Sequence, residues 1–209
     1  MKKRKLSFKK VIKFVIILLL IVIVCYGAYK LFIGNSNDKK VISVEDKIKG
    51  YGYNMDDNET AYYKELFKKL KVTLEAKKID ENKYASLVSQ LFLADFFNLD
   101  NKINKNDVGG VTFIYKDFRS DFEKLAKEGI YNAVVNKENG AKSMELPIVT
   151  NVSVVDLEHI TYDYLQTTDL KAIKIDLNIS YKKDLDYQKT TSLVLVHNGK
   201  KLEIVSMSE

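Results

Sequence analysis

Apolar side chains fill nearly every position from Val11 to Ile33, interrupted by Lys13 and Lys30 near the two ends. As a helix the run reaches ~34 Å at ~1.5 Å per residue, enough for a hydrocarbon core of ~30 Å. The stems of the two lysines can carry their ammonium groups toward the headgroups. This pattern predicts a single transmembrane helix over residues 11–33 behind a basic tail over residues 1–10. Gly34 to Lys40, "GNSNDKK", is polar and reads as a stalk, and Val41 to Tyr53 as a short extended segment, so residues 34–56 form a linker or arm.

From residue 57 onward the spacing becomes helical. Tyr63, Leu66, Phe67, Leu70 and Leu74 share one face behind a cap at Asn58 and predict a helix to about Lys78. Asp80 caps a second, striped by Tyr84, Leu87, Val88, Leu91, Phe92 and Leu99. Its last turns, "LFLADFF", are apolar on every side and predict cover on both faces. Val111 to Tyr115 predicts a short strand. Ser120 with Glu123 matches a capping box, opening a helix that places Phe118, Phe122, Leu125, Ala126, Gly129 and Ala133 on one face. The period then changes to two. Ile148 to Tyr164 is extended, with Val154 and Val155 breaking the alternation as a bulge would. Between Lys171 and Tyr181, Ile173, Ile175, Leu177 and Ile179 alternate with Lys174, Asp176, Asn178 and Ser180, a strand with one wet face. Asn198-Gly199 predicts a type I′ turn, which sets Leu195 opposite Leu202 and Leu193 opposite Ile204. The order, helix-helix-strand-helix-four strands, predicts an α+β domain over residues 57–209 with helices packed on a curved antiparallel sheet.

Charge sharpens the membrane reading. Lys2, Lys3, Arg4, Lys5, Lys9, Lys10 and Lys13 precede the apolar core with no acid among them, which holds the amino terminus in the cytoplasm and the rest outside. The six before Val11 also suit anionic headgroups. A cleavable signal peptide has the same outline, but Val24 to Tyr29 offers only Cys25 and Gly27 at A-x-A-like spacing. Bulky Val24 before Cys25 departs from a lipoprotein pattern. An uncleaved anchor is preferred. The net charge of +6 is misleading as a sign of nucleic-acid binding: the first 37 residues hold eight of the 34 Lys and Arg, leaving 26 cations against 28 anions beyond them. The single cysteine, Cys25, lies in the span, so no intrachain disulfide can form.

The element order resembles the nuclear transport factor two-like (cystatin-like) α+β cone, over roughly Asp57 to Met207. With an anchor ahead of it, the chain also resembles bitopic assembly-factor subunits of bacterial secretion and conjugation machines. These resemblances rest on element order and carry over no functional residue.

Candidate chemistry is sparse. Asp100 to Gly110, "DNKINKNDVGG", fails as a calcium loop, since a frame starting at Asn104 puts Val108 and Tyr115 where ligands belong. No Lys-Ser/Thr follows the glycines, so it fails as a phosphate loop too, and it reads as punctuation between two elements. Asp95 sits at the centre of the second helix's stripe, where a carboxylate must be paired or protonated. One reading makes it a general base in a cone cavity with His159 or Tyr162 as helper, because the fold it resembles hosts isomerases and dehydratases built around a pocket carboxylate. The preferred reading is a structural acceptor for a tyrosine hydroxyl, a lysine, or the N–H groups of the Val108 to Gly110 turn. His159 and His197 have no acid or cysteine at ligand spacing, so no metal site or cofactor is expected. The tyrosines at 51, 53, 62 and 63 read as core and rim. The expected function is a single-pass, membrane-anchored extracytoplasmic binding or assembly module without catalysis. The alternatives are a small-molecule pocket protein around Asp95 and a subunit of a cell-envelope transport complex.

Overall fold

Helix ends are set by side chains that satisfy otherwise orphaned N–H groups. The Thr60 hydroxyl accepts from the Tyr63 N–H and starts α1, Ala61–Glu75, while the Asp80 carboxylate accepts from Lys83 N–H and starts α2, Glu81–Phe96. Asn58 is not the cap: its carbonyl is occupied by the Asn101 side chain. These helices belong to a computed structural model that describes residues 44–134 and 144–208. The expected span Val11–Ile33 and its basic tail lie outside the described residues. Among the described residues no helix is long and apolar enough to cross a membrane.

The fold is α+β. After α2 the chain makes 3-10 turns at Leu99–Asn101, Val111–Phe113 and Lys116–Phe118, then forms α3, Arg119–Glu128. Strands β3, Val149–Tyr164, β4, Thr167–Tyr181, β5, Thr190–Asn198, and β6, Lys201–Ser208, follow as a four-stranded antiparallel sheet in sequence order. The alternation in β4 holds: Ile173, Ile175, Leu177 and Ile179 are buried. The Val154–Asp156 irregularity against β4 is the bulge that the paired valines announce. As the all-round apolar pattern requires, residues 91–99 are buried throughout. α1 packs on one side of α2 and strands β3 and β4 on another.

Four local expectations are corrected. Val111–Phe113 is a 3-10 turn, because Gly110 bends the chain at φ +77°, and only Ile114 makes an isolated bridge, to Ile204. The expected capping box does not form: α3 begins at Arg119 without a side-chain cap, and Glu123 instead pairs with Lys127. Gly129 ends that helix and does not sit within it, and a 3-10 turn over Ile130–Ala133 follows. The final hairpin closes one residue later than expected. Asn198 pairs with Lys201, and Gly199 takes the first central position at φ +63°, so Leu195 faces Ile204 and His197 faces Leu202. A bulge between Val194 and Leu195 then keeps the leucines inward.

The arm does not join the sheet. β1, Val44–Ile48, and β2, Tyr53–Asp56, pair with each other. They are fixed to the body by Tyr53, fully buried, whose hydroxyl donates to the Leu202 carbonyl at 2.7 Å and lies 2.7 Å from the Tyr84 hydroxyl. Among the described residues the compact unit therefore includes β1 and β2, which lie ahead of the expected boundary at residue 57.

Candidate functional site

Asp95 is 8% exposed and Lys102, seven residues on, is 3% exposed; the ammonium lies directly on Asp95 Oδ1. The Gly110 N–H donates to Asp95 Oδ2 at 2.6 Å. Both glycines are required by this closeness. A side chain at Gly109 would meet the Asp95 carbonyl oxygen at 2.5 Å, and one at Gly110 would meet the Phe92 ring at 2.6 Å. Tyr131 completes the enclosure, accepting from the Gly109 N–H and donating to the Phe96 carbonyl, each at 2.8 Å. The stretch Asp100 to Gly110 is therefore a lid folded over Asp95. Two of its polar side chains are spent on turns: Asp107 accepts from the Ile103 N–H and Asn104 from the Asn106 N–H.

Electrostatics follow from this burial. Desolvation pulls the Lys102 ammonium down, but the Asp95 carboxylate outweighs it and holds the group above the ordinary lysine range. Glu59 lies within electrostatic reach of both. Burial, and then repulsion from Asp95, push its carboxyl up to about 8, and its Oε2 is buried without a hydrogen-bond partner. The Tyr131 hydroxyl is pushed up, first by burial.

Neither expected helper reaches this cluster. His159 is exposed, with Nε2 2.9 Å from Asn82 Oδ1. Asn82 is thirteen residues before Asp95 on the same helix, about 20 Å along its axis. Tyr162 packs beside Tyr164, Ala172, Val194 and Val196 in a separate cluster. His197 has the partners that spacing did not reveal: Asp169 Oδ2 at Nδ1, 2.8 Å, and Glu81 Oε1 at Nε2, 2.5 Å. Burial pulls the imidazole down, but the two carboxylates prevail and raise it. Among the described residues no group of three His, Cys, Asp or Glu is arranged to hold a metal ion.

A second feature is open to solvent. Between α3 and the outer edge of β6 runs a groove of about 450 Å³. Phe92, Phe96, Phe118, Phe122, Leu125 and Met207 line it, and Asp121 is its one charged lining residue; Asp95 takes no part. Compared with protein-family models, curated proteins and solved structures, the chain matches none. Leu125 is 69% exposed and Met207 39%, while the phenylalanines pack together beside them, Phe92 stacked on Phe96 at 5.5 Å and Phe96 tilted against Phe122 at 5.0 Å. Past the Ile114 bridge, β6 has no strand partner on its outer side among the described residues. The arrangement places an apolar surface beside a strand edge that has no further strand partner among the described residues.

Proposed function

We propose that this chain is a single-pass, membrane-anchored module of the cell envelope, whose extracytoplasmic domain binds a partner protein in the groove between α3 and β6. The observation that carries the reading is the pairing of exposed Leu125 and Met207 with an aromatic floor and a strand edge that is unpartnered among the described residues. Apolar side chains arrayed in this way are stabilised by being covered. Asp95, the strongest catalytic candidate from sequence, spends its oxygens on Lys102 and Gly110, which supports a binding role over a chemical one. The run Val11–Ile33 supplies the anchor and Lys2, Lys3, Arg4, Lys5, Lys9 and Lys10 the contact with anionic headgroups on the cytoplasmic side. The assembly-subunit reading rests on the order of elements in the sequence, helices followed by a four-stranded antiparallel sheet.

The test has two arms. Protease added to intact cells should cleave within residues 44–208, and a photo-crosslinking residue at position 125 should capture a membrane or envelope protein that Leu125→Asp no longer captures. Full protection from external protease, or recovery of the intact polypeptide in the cytosol, would overturn the topology. Capture that is indifferent to the Leu125 substitution would overturn the groove.

A further inference from the structure

We propose that Lys102 and Asp95 close an intramolecular amide bond, from Nζ to Cγ, stapling the end of α2 to the loop that follows it. The two groups already touch and are shut away from water, with side chains 3% and 11% exposed. An ammonium and a carboxylate in water do not condense, because the amine is protonated and the carboxylate is a poor electrophile. Burial lowers the cost of a transient neutral pair, although Asp95 holds the proton on Lys102 in the ground state. Passing one proton from Nζ to Oδ1 replaces two desolvated charges with an amine and a carboxylic acid, a form that a low-dielectric site favours relative to water. The ground state keeps the proton on Lys102, so closure is slow and follows folding.

The remaining steps have their groups in place. As Nζ adds to Cγ, negative charge develops on Oδ2, which the Gly110 N–H already contacts at 2.6 Å. A preorganised donor at that oxygen stabilises the tetrahedral intermediate. The nitrogen must then lose one proton and Oδ1 gain one before Oδ1 departs. Glu59 is the candidate for this relay: its Oε2 is buried without a hydrogen-bond partner, and turning that oxygen onto the reacting groups would let it pass the proton. It gives one proton to Oδ1 and takes one from nitrogen, ending as it began. In sum an ammonium and a carboxylate become a secondary amide and one water, with no change of oxidation state and no co-reactant. Buried Tyr63 and Tyr131 flank the cluster, and the close lid of Gly109 and Gly110 excludes competing water. The chain's one cysteine lies at position 25, so this covalent closure would do for the domain what a disulfide cannot. It depends on neither the groove nor the membrane anchor.

The full-length chain, purified in detergent, denatured and digested with trypsin, decides the matter by mass. An acylated Lys102 is not cut, so the expected product is a peptide from Tyr84 to Lys105 lighter than its sequence by one water. Lys102→Arg should restore cleavage after position 102 and the full mass. Glu59→Gln, which keeps both reacting groups, should slow closure at least about tenfold, and the wild-type rate should fall as pH rises through about 8. Wild-type peptide cut after Lys102 at its sequence mass, after prolonged incubation at neutral pH, would overturn the bond whether or not any variant folds. Water loss that persists in Lys102→Arg would also overturn it, by assigning the loss to a succinimide at Asp95. Glu59→Gln closing as fast as wild type would remove Glu59 from the reaction.

Discussion

At Asp95 the pattern of the sequence and the chemistry of the residue conflict, since an acid occupies the middle of an apolar stripe. The fold resolves the conflict with Lys102 and the Gly110 N–H. Removing one member of a buried pair leaves the other uncompensated, so Asp95→Leu should destabilise by about 3–5 kcal/mol. Asp95→Asn should cost less, because an amide oxygen can still accept from Gly110. The double variant Asp95→Leu with Lys102→Met should recover much of the loss, as chemical denaturation would show. Glu59 gives a prediction with a definite sign. Its carboxyl binds a proton more tightly folded, at about 8, than unfolded, near the ordinary 4.5. The stability linked to that proton is complete below 4.5 and is lost as pH rises from there through about 8. The slope should approach about 1.4 kcal/mol per pH unit within the window. Glu59→Gln should flatten it in melts recorded between pH 5 and 9.

Elements were legible wherever one face decides their structure. The α1 stripe, the β4 alternation, the Asp80 cap and the Val154–Val155 bulge all depend on neighbours within a few residues, and all stand in the structure. Where a long-range contact competes, the local signal yields. Ser120 and Glu123 match a capping box, yet Arg119 is drawn into the helix start by bonds to the Ile114 carbonyl and Glu203, and Glu123 turns to Lys127. The hairpin slips by one residue because Asn198 is held in the strand, its amide on Glu203 Oε2 at 2.8 Å. α3 illustrates a face left without a partner: its stripe was recognisable, but only Ala126 on it is buried. Leu125→Asp should therefore leave the free energy of unfolding within about 0.5 kcal/mol of wild type, although it removes an apolar residue from the groove. A large loss of stability would mean that Leu125 belongs to the core.

At the scale of the whole molecule the chain divides by charge as well as by pattern. Cations without acids gather in the first 37 residues, while the rest is close to neutral. The unit from Ile42 onward holds one main core that runs from Ile48 in β1 to Ile204 in β6, so the arm is part of the body. A chain begun at Ile42 should fold without the apolar run, giving a mixed helix and strand circular dichroism spectrum and one cooperative melt. A chain begun at residue 57 should lose Tyr53 from its bonds to Leu202 and Tyr84 and melt earlier.

The sequence by itself determined the two long helices and the four strands that follow them, the inward faces of α1 and β4, the anchor-like run and the want of disulfides, because periodicity and composition act over a few residues or over none at all. It also offered Asp95 a lysine, a tyrosine hydroxyl or the Val108 to Gly110 turn just downstream as partners, because a buried carboxylate must be paired. Only the tertiary structure decided that lysine and turn act together, that Glu59 feels the charges of Asp95 and Lys102, and that His197 meets Glu81, 116 residues away. It alone decided that the aromatic residues of α2 and α3 leave a groove open beside β6. Those outcomes depend on which distant surfaces meet, and no local period encodes that.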